Sequence, residues 1–223
     1  MKVVLFGATG MVGAGTLLEC LDDPRVTSVL AVGRRPCGVA HPKLGEALID
    51  DFLLYDAVRP RFADADACFF CLGVSSVGMS EEAYTRVTRD FTLAAARSLL
   101  EAGARPTFCY ISGAGTDSTE HGRSMWARVK GQTENALLAL PFRAAYMLRP
   151  AYIQPMRGVR SKTPQYQFFY TIFGALYPVF RRVLPGLVTD TVAVGRSLIH
   201  LAAEGDPKKI LETRDINRLG AEA

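Results

Sequence analysis

The sequence predicts an α/β fold, a doubly wound parallel sheet with a small, mostly helical C-terminal appendage, in one domain spanning residues 1–223. Three observations predict it. From the N-terminus to Pro150, short apolar runs alternate with stretches whose apolar residues recur every three or four positions, the βα rhythm of a parallel sheet covered on both faces. A glycine-rich turn, Gly7-Ala8-Thr9-Gly10-Met11-Val12-Gly13, follows the first apolar run directly. The chain has 223 residues, 49% hydrophobic and 22% charged, which suits one soluble domain with a single core.

In chain order, Lys2–Phe6 is the first predicted strand and Met11–Leu21 the helix that follows the turn. Ser28–Val32 is the second strand. A loop carrying Pro36, Gly38 and Pro42 leads into the third, Glu46–Asp50. Ala67–Leu72 (ACFFCL) is apolar throughout, as a strand buried on both faces is. Glu81–Ala102 reads as one long helix, because Tyr84, Val87, Phe91, Ala94, Ala95 and Leu99 recur at three- and four-residue steps. Thr107–Ile111 is a fifth strand, Met125–Leu140 a helix and Ala144–Leu148 a sixth strand. After Pro150 the rhythm changes. Thr191–Ala203 reads as a helix and Lys209–Glu212 as a last short strand, so residues 151–223 are expected to pack as an appendage on the substrate side. No repeat, low-complexity stretch or linker marks a second domain.

The net charge of +4 permits attraction to phosphate-bearing ligands but lacks the clustered basic character of a nucleic-acid-binding protein. The apolar run Val3–Phe6 is too short for export or membrane insertion, so a cytoplasmic protein is expected. Five cysteines, Cys20, Cys37, Cys68, Cys71 and Cys109, form an odd set that points to reduced thiols. Cys68 and Cys71 make a C-x-x-C, but on a strand residues three apart face opposite ways. They are read as buried hydrophobes, and no metal site is expected.

The glycine turn carries the cofactor reading. Gly7 permits a tight turn, Gly10 lets backbone approach a pyrophosphate, and Gly13 allows the helix to pack closely on the strand, while free N–H groups at the helix start face the phosphates. Strand, turn and helix follow one another in the order this Rossmann-type fingerprint requires. Thr9, Met11 and Val12 complete the turn as candidate ligands. At the end of the second strand an acidic residue would bind a ribose 2′-hydroxyl. Arg34 and Arg35 stand there instead, two guanidinium groups that suit a 2′-phosphate, so NADP is expected over NAD. Asp50 and Asp51, at the end of the third strand, fit either the adenine edge or a turn.

The turn and four further segments, Phe70–Gly73 (FCLG), Val87–Phe91 (VTRDF), Tyr110–Gly115 (YISGAG) and Val129–Glu134 (VKGQTE), resemble the atypical short-chain dehydrogenases/reductases, in particular their Tat-interacting-protein-like subgroup. The likeness runs from residue 1 to about 152 and more weakly to Ala203. It implies a Rossmann fold, NADP(H) binding, and either oxidoreductase activity or a regulatory role. It also implies that Cys71, Leu72 and Gly73 lie along the adenosine side and that Val87 sits in the helix backing the sheet. The family's chemistry uses a Tyr as proton carrier, a Lys four residues later that lowers the Tyr pKa and holds the nicotinamide ribose, and a Ser that polarises the substrate oxygen. Lys130 stands at the Lys position and Ser112 is the candidate Ser, but Trp126 occupies the Tyr position. An indole N–H donates only and is no acid near neutral pH. Where the family carries a second Ser, this chain has Gly113, with Thr116 as a substitute hydroxyl. Tyr152, His121, Arg123 and Ser124 are further polar candidates near the pocket.

Two functions follow. One is an NADP(H)-dependent oxidoreductase for a small apolar carbonyl or alcohol. The other is a non-catalytic NADP(H)-binding redox sensor. A sugar-nucleotide epimerase or dehydratase is disfavoured by the short C-terminal region and the missing Tyr. The aromatic run Tyr166–Phe180, followed by Arg181 and Arg182, is too short and too interrupted by Pro178 to span a membrane. It reads as a cover over the substrate pocket, as a peripheral membrane or protein contact through 166–182, or as a homodimer contact.

Overall fold

A computed structural model describes residues 1–159, 177, 180, 182–184 and 186–222. Its elements are β1 (Lys2–Phe6), α1 (Met11–Asp22), β2 (Ser28–Gly33), β3 (Leu44–Leu48), β4 (Ala67–Phe70), α2 (Glu81–Thr85), α3 (Phe91–Glu101), β5 (Thr107–Ile111), α4 (Met125–Leu138), β6 (Ala144–Arg149), β7 (Tyr152–Gln154), β8 (Val188–Asp190), α5 (Thr191–Ala203), β9 (Ile210–Glu212) and α6 (Thr213–Glu222). Among the described residues, seven strands form one parallel sheet in the order β3-β2-β1-β4-β5-β6-β9. The doubly wound fold is therefore present. The chain winds outward in one direction from β1 to β3 and in the other from β4 to β9. The reversal leaves a crevice between β1 and β4 at the strands' carboxyl ends, where such sheets bind ligands.

Alternation along each strand builds two apolar layers. Val3, Leu5 and Phe69 face α1, α5 and α6, with Leu17, Val194, Leu198 and Leu219 among their neighbours. Val4, Phe6 and Phe70 face the other way, towards Leu93 and Leu99 of α3 and Leu137 of α4. Cys71 packs with the first layer and Cys68 with the second, so the two thiols diverge across the sheet as the spacing predicts.

Several boundaries differ from the sequence reading. β3 lies two residues earlier than Glu46–Asp50, because its register on β2 runs from Val29↔Leu44 to Gly33↔Leu48. β4 stops at Phe70, and Cys71 and Leu72 leave the strand where the backbone passes Gly7. The single predicted helix at 81–102 is interrupted by a wide π turn at Arg86–Asp90, which separates α2 from α3. β7 and β8 pair as a separate two-stranded parallel sheet, and with α6 they went unread. Runs of three residues carry no usable period. The C-terminal residues do more than cover the sheet, since β9 extends it from β6 and α5 packs along α1. Most of the aromatic run 166–182 lies outside the described residues. Of its members, Tyr177 is buried and its hydroxyl donates to the Asp190 carboxylate. No helix among the described residues is long and apolar enough to cross a membrane.

Among the described residues, two helix starts are capped by side chains. Ser80 Oγ accepts from the Ala83 N–H at 3.2 Å at α2, and an Asp190 carboxylate oxygen accepts from the Ala193 N–H at 2.7 Å at α5. Helix α1 begins at Gly10 with no side-chain cap and no acidic residue in its first turn, which leaves its positive end unsatisfied by the protein.

Candidate cofactor cleft and active site

The turn between β1 and α1 is shaped by contacts that exclude side chains. Gly7 has φ +81°, and a methyl group there would lie 2.7 Å from backbone atoms of Cys71 and Leu72. On Gly13 it would lie 2.1 Å from the Gly7 carbonyl oxygen, and on Gly10 3.3 Å from the same atom. The uncapped start of α1 thus opens directly onto a cleft of about 640 Å³. Gly7, Thr9, Gly10 and Met11 form one wall, Gly33, Arg34 and Arg35 the second, and Cys71, Leu72 and Gly73 the third. Val12 points away from this lining and packs against the core.

Arg34 and Arg35 are exposed, and among the described residues neither has a carboxylate within ion-pair distance. Elsewhere Arg25, Arg59, Arg128, Arg149, Arg157, Arg196 and Arg218 all pair with acids. The Arg34 guanidinium lies 5.9 Å from the centroid of the Phe52 ring, which is itself 5.6 Å from Phe91. Phe52 lines the cleft, whereas Asp51 accepts the Leu53 N–H at 2.9 Å in a turn and is not part of the lining. Sequence reasoning missed Phe52, although its place directly after Asp50-Asp51 could have marked it. Cys37 and Cys71 also line the cleft. Burial pushes both thiols up to about 12, so neither is a thiolate near neutral pH.

The second centre lies at the carboxyl end of β5. Tyr110 pairs with Phe70 of β4, which sets Ile111 level with Cys71 at the cleft. Lys130 reaches back from α4 to this level, with Nζ 3.4 Å from the Ile111 carbonyl and 5.2 Å from the Tyr110 ring centroid. Burial lowers its ammonium to about 8, an effect that Glu134 one turn along partly opposes. The Glu134 carboxylate, itself fully buried, is held by Arg149, whose Nε lies 3.0 Å from Oε1. Lys130 and Ser112 therefore both lie at the carboxyl end of β5, two strands from the β1 that the glycine turn follows.

Ser112 is buried, and its Oγ lies 3.0 Å from Thr116 Oγ1, which donates to the Gly113 carbonyl at 2.8 Å. Thr116 has a single hydroxyl hydrogen, so Ser112 is the donor between them and offers lone pairs to anything else. The Trp126 indole lies over the turn after β5, 4.0 Å from where a Gly113 methyl group would be and 3.5 Å from one on Gly115. The indole fills the side of this turn that the missing side chains leave open. Tyr152 hydroxyl donates to Gln154 Oε1 at 2.6 Å. His121, Arg123 and Ser124 are exposed on the loop before α4, which Asp117 organises by accepting the Gly122 N–H at 2.6 Å.

No protein-family model matches the chain. Among curated proteins it is similar to Protein HTATIP2 of Rattus norvegicus, 26% identical over 227 residues, covering 100% of this chain and 90% of that protein. It is also similar to the protein fmp52-2, mitochondrial, of Neosartorya fischeri, 26% identical over 228 residues, covering 97% and 94%. Fungal relatives named as mitochondrial recur in Aspergillus oryzae and Emericella nidulans, and they correct the expectation of a cytoplasmic protein. That expectation rested on apolar export signals, whereas import into mitochondria uses amphipathic, arginine-rich segments that such a search does not see. Among solved structures, the chain matches the Bordetella bronchiseptica enzyme WbmF in complex with NAD+, with a TM-score of 0.67, 16% identity, and coverage of 99% of this chain and 77% of that one. It matches DesIV, a dTDP-glucose 4,6-dehydratase of Streptomyces venezuelae with NAD bound, with a TM-score of 0.69, 15% identity, and coverage of 100% and 80%. At this identity the likeness is one of fold.

Proposed function

We propose, for a chain that resembles the Tat-interacting-protein-like group of atypical short-chain dehydrogenases/reductases over its full length, that it binds NADP(H) in the cleft at the β1–α1 turn and acts as an oxidoreductase on a small apolar carbonyl or alcohol. One observation carries the reading: an uncapped helix start and two arginines without acidic partners among the described residues face a single cleft. A dinucleotide fits this donor set. The pyrophosphate would meet the α1 N–H groups across Gly10, where a side chain would intrude. Arg34 and Arg35 would hold the 2′-phosphate, and Phe52 offers a flat apolar wall for the adenine end. Gly7, Thr9, Met11, Val12, Gly13, Cys71, Leu72 and Gly73 would complete the cradle, directly or by shaping its backbone. When bound, the nicotinamide supplies a hydride donor or acceptor.

Lys130 would hold the nicotinamide ribose, and Ser112 would sit beside the substrate oxygen. The Trp126 indole, lying over the turn after β5, would make that side of the substrate space apolar and aromatic, which supports a small apolar compound. A second reading, a binding protein without turnover, is favoured by the same Trp126 and by the commitment of the Ser112 hydrogen to Thr116. NADPH oxidation across a panel of aldehydes and ketones separates the two. The oxidoreductase reading expects steady oxidation, with the Arg34→Ala/Arg35→Ala variant raising the KM for NADPH about tenfold or more, given roughly 1.5–3 kcal/mol for a hydrogen bond to a charged group. NADH kinetics should be nearly unchanged. Tight NADPH binding with no oxidation of any compound would favour the sensor, and equal losses for both nucleotides would remove the arginines from 2′-phosphate recognition.

A further inference from the structure

We propose that Lys130 itself delivers the proton to the substrate oxygen, at the place where the sequence puts Trp126 in the position of a phenolic acid. The proposal rests on the oxidoreductase reading and goes beyond it by assigning the acid. Among the described residues, geometry and burial remove the other carriers around the carboxyl end of β5. The Ser112 hydrogen goes to Thr116, and the Thr116 hydrogen to the Gly113 carbonyl. The Tyr152 hydroxyl donates to Gln154. Tyr110 is buried beneath Lys130, and burial drives its phenol far above neutral pH. The Trp126 N–H is no acid.

Lys130 differs from all of these. Its ammonium has three hydrogens, and among the described residues it meets one acceptor, the Ile111 carbonyl, at a long 3.4 Å. Its nearest acid, Glu134 on the same helix, is engaged by Arg149 from β6. Among the described residues, the Tyr110 ring from β5 lies 5.2 Å from it, and Tyr84 from α2 acts in turn on the Tyr110 phenol. The ammonium therefore sits beside the Ile111 carbonyl, at the sheet level of Cys71, with hydrogens to spare. Its pKa, lowered by burial to about 8, is suited to giving up a proton near neutral pH.

In the step, Lys130 gives one proton to the carbonyl oxygen as that oxygen takes the electron pair of the C=O π bond. A bound reduced nicotinamide would supply the hydride to the carbonyl carbon, so that the substrate would be reduced to an alcohol as NADPH is oxidised to NADP+. The neutral Lys130 amine then recovers its proton from solvent. One solvent proton is consumed per turnover.

The test combines chemical labelling with substitution in the full chain. The rate of reductive methylation at Lys130, followed by mass spectrometry across pH, reads the amine's titration without turnover and is expected to rise with a midpoint near 8. NADPH oxidation should fall tenfold per pH unit above that midpoint. Lys130→Met should lose at least about 100-fold in turnover, the usual contribution of a general acid. Lys130→Arg is the deciding variant. It keeps the positive charge and donors for the ribose but cannot release a proton, so it should bind NADPH within tenfold of the parent and be as slow as Lys130→Met. Turnover rescued by Lys130→Arg, or a midpoint near 10.5, would overturn the acid role and leave the oxidoreductase reading standing. A protein that binds NADPH and oxidises it with no carbonyl compound at any pH would overturn both.

Discussion

A partly buried ammonium works against the fold that holds it, and Lys130 carries that cost. Its folded-state pKa is about 8 against an ordinary 10.5. Between those values the unfolded chain holds a proton that the folded chain has released. Stability contributed by this group therefore rises with pH across that window and is lowest below about 8. Lys130→Met should be more stable than the parent to urea at pH 7, and the advantage should shrink towards pH 10.5. Parallel urea midpoints for both proteins at pH 7, 9 and 10 read this directly, and a constant difference would mean that Lys130 titrates as it does in water. Residue by residue, the glycine turn was legible because its demands are on backbone. Gly13 faces the Gly7 carbonyl so closely that no other residue fits without a shift. Trp126, Ser112 and Lys130 could be named from spacing, but their chemistry could not be read there. It depends on which hydroxyl hydrogen goes to Thr116, and on an indole lying over Gly113 and Gly115.

The elements that bring these residues together are tied by a buried charge pair. Glu134 of α4 is fully buried and Arg149 at the end of β6 nearly so, with the neighbouring Glu134 raising the arginine's pKa. Arg149 also donates to Ser118 at 2.5 Å, so one guanidinium joins α4, β6 and the loop that ends at Ser124. Removing Glu134 leaves the Arg149 guanidinium with only the half-exposed Glu212 carboxylate, 3.8 Å away, to face it. Glu134→Ala should cost about 3–5 kcal/mol, measured as a loss of urea unfolding free energy. A loss below 1 kcal/mol would mean that water reaches the pair. Strands of four or more apolar residues in the sheet centre, β1, β2, β4, β5 and β6, were legible to within a residue or two, because burial on both faces writes a continuous run. β3 was misplaced by two residues, since Glu46 and Gly45 are only half-buried at a sheet edge and its limits come from pairing with β2. β7, β8 and α6 depend on contacts between segments far apart in sequence, such as the Asn217 side-chain amide donating to the Val188 carbonyl, and no local pattern announces them.

At the scale of the molecule, the reversal of strand order between β1 and β4 places the uncapped start of α1, the two arginines after β2 and the exit of β4 around one crevice. Lys130 and Ser112 stand one strand further on, at the end of β5. This arrangement brings a turn motif and two adjacent arginines, separated by more than twenty residues in sequence, to one candidate binding surface. The measurement that tests it most directly is calorimetric titration of the purified protein with NADPH and NADH side by side. The account predicts saturable 1:1 binding of NADPH, with NADH at least about tenfold weaker for want of the 2′-phosphate that charged hydrogen bonds recognise. Equal affinity for the two would contradict the role given to Arg34 and Arg35, and no binding of either would contradict the cofactor cleft itself.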